Sequence, residues 1–236
     1  YKFDKEEINY ILENLEVGDV AFDIGAHKGA YTYWMHKSVG KSGKIVSIDP
    51  QPILFKYLRK MIAIFAYENV TLMDCAVSDK DTEGVITVPG KPGNISQGAR
   101  IDDQKIIQDK HKHDLYTINV KIRSIDSIIA ETGLKPNIIK IDVEGHEFSV
   151  LKGMTRTLTE VRPRIIVECE ARHIKEFTVF DVFNFLLDKN YEGYYFHVGN
   201  KNPLSQFDLN RDQLSYFERP QNPHRYYIAN FIFEPN

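Results

Sequence analysis

Cysteine is scarce in this chain: two residues in 236, Cys75 and Cys169. Both lie in apolar, strand-like runs and read as buried free thiols, which excludes a small secreted scaffold framed by disulfides. The matching expectation is a reducing, cytoplasmic setting. No apolar run approaches the roughly 20 residues a membrane helix needs, and no signal-peptide or lipidation pattern occurs. No membrane partner is therefore expected. Charge of a single sign is missing too. Thirty basic residues stand against 33 acidic ones, a formal net charge of -3, and the two signs are mixed along the chain. A broad nucleic-acid-binding face needs clustered Lys and Arg, so no nucleic-acid partner is expected. There is no internal repeat and no change of composition marking a second domain, so 1–236 reads as one domain, a size common for α/β proteins. Tyr1 opens the chain where a complete protein has methionine, as in a piece of a longer one. Nothing in the sequence sets an oligomeric state.

What is present is an alternation of short apolar runs and helical spacings. Asp4-Lys5-Glu6-Glu7 resembles an N-cap with an acidic first turn, and Ile8, Ile11, Leu12 and Leu15 follow at helical spacing, so residues 1–17 hold an N-terminal helix. Val20 to Ile24, Lys44 to Ile48 and Val70 to Met73 read as buried parallel strands. Helices from Ala30 to Val39 and from Pro52 to Phe65 separate them. This β-α-β-α-β order predicts an α/β fold with a mostly parallel sheet and helices on both faces. The order then breaks. Val85 to Val88 reads as a small strand, and 89–116 is rich in Gly, Pro, Asn, Asp and Lys, as a lid or substrate loop would be. Ile118 to Ile122 alternates like a half-exposed strand, and Ser124 to Glu131 is a short helix. Further strands are expected at Asn137 to Asp142, Arg164 to Glu168, Tyr191 to Val198 and Tyr226 to Phe233, with helices at Phe148 to Leu158 and Val179 to Leu187.

The first feature with chemistry is Asp23-Ile24-Gly25-Ala26-His27-Lys28-Gly29, between the first strand and its helix. Glycines there let the backbone turn sharply and approach a ligand, and open α/β sheets bind ligands at the carboxyl ends of strands. The third glycine of the dinucleotide fingerprint is absent, and Asp23 sits poorly beside a pyrophosphate. Both features speak against a nucleotide-dependent oxidoreductase. They suit a ligand with a positively charged amino-acid tail. Asp49 ends the second strand, where a carboxylate accepts hydrogen bonds from both hydroxyls of a ribose.

These residues, with Ile-Asp-Pro-Gln-Pro at 48–52, Cys-Ala-Val-Ser-Asp at 75–79 and Ile-Lys-Ile-Asp-Val-Glu-Gly-His-Glu at 139–147, resemble the FkbM family of methyltransferases. The resemblance covers roughly 18–190, and the 139–147 block is its most specific part. It implies a Rossmann-like methyltransferase fold of seven strands with the last antiparallel, S-adenosylmethionine as cofactor, and a hydroxyl oxygen of a small molecule, such as a sugar or polyketide, as acceptor. It places Asp23, Gly25 and Gly29 at the methionine moiety, Asp49 at the ribose, and Asp74, Cys75 and Ala76, at the end of the third strand, by the adenine. His27 falls within the same cofactor turn, where the family more often has asparagine.

Methyl transfer from a sulfonium asks the protein mainly for alignment, and an alcohol acceptor must also lose its proton. Asp142, Glu144 and His146 crowd the end of the fourth core strand. Asp142 reads as a positioning group and Glu144 or His146 as the base; Glu144 and Glu147 have the alternative of capping the next helix. Asp142, Glu144, His146, Glu168, Glu170 and His173 would be the oxygen and nitrogen donors of a divalent metal site if two strand ends converged. Their spacing matches no known zinc motif, so no residue is assigned to a metal. Asn94, Ser96 and Arg100 are candidates for contacting a polar acceptor, whereas His111 and His113 read as a solvated, charged loop. Tyr31, Trp34, Tyr194, Tyr195, Tyr226 and Tyr227 read mostly as core aromatics, with stacking on a sugar as the alternative. The rival to an enzyme is a non-catalytic S-adenosylmethionine-binding regulatory or assembly module, which has no need of the acids at 142–147.

Overall fold

The computed structural model describes residues 4–91, 99–101, 115–215 and 227–236. Asn94, Ser96, His111, His113, Tyr226 and most of the 89–116 loop lie outside them, and only the backbone of Arg100 is described. The main sheet is built from β1 (Val20–Ile24), β2 (Lys44–Ile48), β3 (Val70–Met73), β8 (Ile138–Ile141), β9 (Arg164–Glu168), β10 (Tyr191–His197), β11 (Asn200–Pro203) and β12 (Asn230–Pro235), in the order β11-β10-β12-β9-β8-β1-β2-β3. β3, β2, β1, β8 and β9 are mutually parallel. β12 enters antiparallel between β9 and β10.

Both faces of this sheet are covered, which is why its central strands read as unbroken apolar runs. On one face Ala21, Ile45, Ile138 and Ile166 pack with Ile11 of α1 (Lys5–Asn14) and with Met35 and Val39 of α2 (Ala30–Val39). On the other, Phe22, Val46, Ile139 and Ile165 meet α4 (Ile125–Thr132), α5 (Glu147–Lys152) and α6 (Val179–Leu187). Each fully buried Ile, Val or Leu contributes about 1.5–3 kcal/mol. Helix ends follow local chemistry. Ser124 accepts the Ser127 N–H at the start of α4, and Thr178 with Asp181 forms a capping box on α6. Asp4 occupies the N-cap of α1 without a side-chain bond.

Four expectations need correction. Among the described residues the main sheet has eight strands rather than seven. β11 returns from β10 through a tight turn at Val198 and Gly199, both at positive φ. A β-branched residue is an unusual occupant of that conformation, and Asn-Lys-Asn-Pro shows no apolar alternation, so the hairpin left no signal in the sequence. The helix expected over 148–158 is interrupted: α5 ends at Lys152, a turn follows at Gly153 and Met154, and helical turns resume over 155–161; Gly153 lies against the backbone of Ser78, where a Cβ would stand 2.0 Å from the carbonyl oxygen. The last strand starts at Asn230, with 227–229 leading into it. Finally, the interruption after β3 contains a second sheet. β4 (Cys75–Val77), β5 (Thr82–Pro89), β6 (Arg100–Ile101) and β7 (Leu115–Arg123) are ordered β4-β7-β5-β6. Cys75 and Ala76 thus belong to this sheet and not to the end of the third strand. Both cysteines are buried free thiols.

Candidate functional site

β2, β1 and β8 are neighbours in parallel register, so Ile48, Ile24 and Ile141 lie side by side and their carboxyl ends open together. The chain continues the ladder one residue further: Gly25 and Ala26 donate to the Ile48 carbonyl (2.9 and 3.0 Å), and Asp142 donates to that of Ile24 (3.0 Å). Gly25 has φ +81°, and a Cβ there would stand 1.8 Å from the Asp142 carbonyl oxygen, so only glycine lets the two strand ends meet. His27 follows at φ +48°. Asparagine tolerates this left-handed conformation better than most residues, which gives a backbone reason for its frequent use there.

A cavity of about 780 Å³, counted to its open mouth, lies over these ends. Gly25, His27 and Asp49 line one side, and Asp142, Val143, Glu144 and His146 another. Cys75, Ala76 and Val77 of β4, Ile86 of β5, Ile101 of β6 and Ala99 just before it close it with apolar surface. Eight of the eleven residues singled out from sequence therefore converge. The other three do not reach the cavity. Asp23 is buried behind it and accepts from Thr32 Oγ1 at 2.5 Å. Gly29 starts α2 at φ +78° and packs against Leu58 and Met61 of α3 (Pro52–Phe65). Asp74 lines a neighbouring groove with Lys56, Arg59 and Lys121.

Asp49 is buried, and each of its oxygens accepts one backbone N–H, from His27 (3.0 Å) and Gln51 (2.9 Å). Burial pushes its pKa up to about 7 against those two bonds. Both oxygens keep lone-pair capacity for further donors. Burial, with Lys28 adding, lowers the pKa of His27, which favours the neutral imidazole; its Nε2 is buried with no hydrogen-bond partner among the described residues. Burial lifts the Cys75 thiol to about 12, so it is a neutral wall and not a nucleophile.

The loop from β8 to α5 is shaped from below. Glu144 and Gly145 have φ +54° and +95°, and Gly145 sits against the His173 carbonyl. Glu147, the first residue of α5, turns its carboxyl group back on the backbone around it. Its Oε1 accepts the N–H groups of Gly145 (2.9 Å) and Val143 (3.3 Å) from the loop itself. Glu144 Oε2 pairs with His173 Nδ1 at 2.6 Å, and His146 Nε2 lies 2.9 Å from Ser78 Oγ. Among the described residues, no three His, Cys, Asp or Glu side chains converge to hold a metal ion. Tyr194 and Tyr195 are core residues. Of the apolar roof, Cys75 and Ala76 were expected by the adenine, whereas Ile86, on the small strand read at Val85 to Val88, and Ala99 and Ile101, in the stretch read as loop, were not connected to the site. The sequence reading also passed over Lys140, a single charge in the run Ile138-Ile139-Lys140-Ile141, and a lysine inside a buried strand was the available signal.

No helix among the described residues is long and apolar enough to cross a membrane. The methyltransferase FkbM domain model matches residues 23–193. The hexuronic acid methyltransferase AglP of Haloferax volcanii is 27% identical over 173 residues, covering 71% of this chain and 63% of its own. Methyltransferase 1 of Beauveria bassiana is 24% identical over 161 residues, 64% of each protein. The chain thus spans just under two thirds of the length of these curated relatives. The crystal structure of an FkbM methyltransferase from Methylobacillus flagellatus matches 96% of this chain and 50% of that one, with a TM-score of 0.56 at 17% identity, and so shares its Rossmann-like fold. The chain belongs to the FkbM methyltransferase domain family.

Proposed function

We propose that this chain binds S-adenosylmethionine in the cavity over β1, β2 and β8 and transfers its methyl group to a hydroxyl oxygen of a small molecule, a saccharide first among them. The supporting observation is the graded lining of that cavity. A buried acid with spare acceptor capacity, Asp49, stands next to an apolar slot formed by Ile48, Val77, Ile86 and Ile101, and the far side carries Asp142, Glu144 and His146. Ribose, adenine and the reacting sulfonium would meet these three surfaces in turn. Gly25 brings the backbone close, and His27 Nε2 offers an unused polar atom at the methionine end. When bound, S-adenosylmethionine supplies a methyl group already activated on sulfur. The protein is left to align the acceptor oxygen and to take its proton. The relative named for hexuronic acid makes uronic acids and sugars the acceptors to screen first.

Calorimetric titration with S-adenosylhomocysteine, with NAD as control, tests the cofactor. Micromolar binding of the first alone supports the reading. A folded protein that binds neither would sink it. Binding without methyl transfer to any acceptor of a broad hydroxyl panel would favour a non-catalytic module.

A further inference from the structure

The outer surface of α2 and α3 carries charge of one sign. From Lys28 to Tyr67 the sequence holds seven Lys and Arg and a single acid, Asp49, which is buried against the cavity. The chain as a whole has a net charge of -3. α3 turns Leu54 and Leu58 inward. At about 3.6 residues per turn, Lys56, Arg59 and Lys60 form one stripe of its outer arc, and Tyr57, Ile64 and Phe65 form the next. All six are exposed, Ile64 at 68% and Phe65 at 54%.

The apolar stripe continues onto α2. Tyr33, also exposed, meets Phe65 and Trp34 edge to face, with ring centroids 6.4 and 5.0 Å apart, and Lys37 Nζ lies over the Trp34 ring at 5.0 Å. Aromatic and aliphatic side chains thus lie between cations on two helices. Lys37, Lys56, Arg59 and Lys60 make no ion pair among the described residues. Lys56 and Arg59 also share a groove with Lys121, in which the acid is Asp74.

Large apolar side chains gathered on one exposed face mark an interaction surface, and charge selects the partner. A second copy docking by the same face would set unpaired cations against cations. Nucleic acid has the complementary charge but needs open ring faces on which bases stack. Here Phe65 stacks on Tyr67, Tyr33 packs edge to face against its neighbours, and Ile64, the most exposed of the set, has no ring. An anionic lipid surface fits both parts, because apolar side chains enter the headgroup boundary while Lys and Arg meet the phosphates around them.

We propose that this face docks on an anionic lipid surface, with Tyr33, Tyr57, Ile64 and Phe65 entering the headgroup layer and Lys37, Lys56, Arg59 and Lys60 on its phosphates. A helix lying along a membrane needs no apolar run of spanning length, so a membrane partner, not expected from the sequence, is compatible with the lack of one. None of these side chains lines the cavity over β1, β2 and β8. Docking leaves that lining intact and does not depend on the methyl-transfer reading.

Flotation of the whole chain with lipid vesicles tests this. Binding is expected on vesicles of phosphatidylcholine mixed with phosphatidylglycerol, to be weak on phosphatidylcholine alone, and to fall as salt is raised. A basic residue at an anionic surface is worth about fivefold in binding, so Lys56→Ala combined with Lys60→Ala should weaken it roughly 25-fold. Ile64→Asp should abolish it. Lys135→Ala, on the loop after α4 at the other face of the sheet, should leave it unchanged. The substituted side chains are exposed, so melting temperatures should hold. No binding to the mixed vesicles, or binding that survives both Ile64→Asp and the double lysine variant, would overturn the proposal. So would a concentration-dependent dimer that Ile64→Asp dissociates, which would make the face a contact between copies, or binding of a single-stranded oligonucleotide through the same side chains in place of the vesicles.

Discussion

His27 donates its backbone N–H to Asp49 Oδ2 across 3.0 Å, tying the glycine turn after β1 to the first residue beyond β2. One buried carboxylate thus shapes the turn and, in the proposed reading, receives the ribose. Asp49→Ala removes both functions. Hydrogen bonds to charged groups contribute about 1.5–3 kcal/mol, so affinity for S-adenosylhomocysteine is expected to fall at least about tenfold in calorimetry. Asp49→Asn keeps a carbonyl oxygen for one of the two N–H groups and should show a smaller loss of melting temperature than Asp49→Ala. Unchanged affinity in a folded Asp49→Ala protein would remove the ribose role.

Gly25 and Gly29 look equivalent in the sequence and are not so in the fold. A Cβ at Gly25 meets backbone, the Asp142 carbonyl at 1.8 Å, which cannot give way without parting the two strand ends. A Cβ at Gly29 meets the ends of the Leu58 and Met61 side chains at 2.8 Å, and these can rotate. Both positions also carry the strain of positive φ. Gly25→Ala should therefore cost roughly 2–4 kcal/mol and abolish cofactor binding. Gly29→Ala should cost less and leave binding measurable. Urea melts and titrations of the two variants decide it, and equal losses would contradict the geometry.

The difference between those glycines shows where sequence stops. Spacing alone marked both, along with Asp49 and the acids at 142–146, because a strand end, a tight turn and a buried parallel run each impose a local pattern. The apolar face of Val20 to Ile24 and the helices on either side were legible for the same reason. Contacts across long separations were not. Nothing near Gly153 announces Ser78, nothing near Glu168 announces Lys140, and the roof over the cavity comes from strands whose partners are more than a dozen residues away, as with Ile86 and Ile101. Asp23 is the reverse case. Its position in the motif suggested a ligand, whereas the fold buries it behind the cavity and sets Thr32 of α2 on one of its oxygens.

That roof makes its own prediction. Ile101 lies on a two-residue strand held to β5 and faces the cavity beside Ile86. It is only partly buried, so its loss should trouble the fold little while stripping apolar contact from a bound adenine. Ile101→Ala is expected to weaken S-adenosylhomocysteine about threefold to tenfold, in line with roughly 1 kcal/mol for the methylene groups removed. Melting temperature should change little. A variant with full affinity would show that the second sheet does not touch the cofactor.

Buried carboxyl groups give the protein an unusual dependence on pH. Burial raises Glu7, Asp49 and Glu147 to about 7 and Asp23 to about 6, all above the ordinary carboxylate values these groups regain on unfolding. A group raised in the folded state binds its proton more tightly there, so its contribution is complete below the unfolded pKa and is lost as pH climbs through the folded one. Stability of the ligand-free protein should accordingly fall between about pH 5 and pH 7.5, whereas many proteins hold or gain stability there. Glu147 is 1% exposed, so it feels the effect with little solvent screening, and its share is about 2 kcal/mol. Glu147→Gln keeps an acceptor for the Val143 and Gly145 N–H groups but cannot ionise. It should be close to wild type at pH 5.5 and more stable at pH 8. Urea unfolding at the two pH values measures this, and a variant whose stability falls as steeply as the wild type's would show that Glu147 is ionised in the fold throughout.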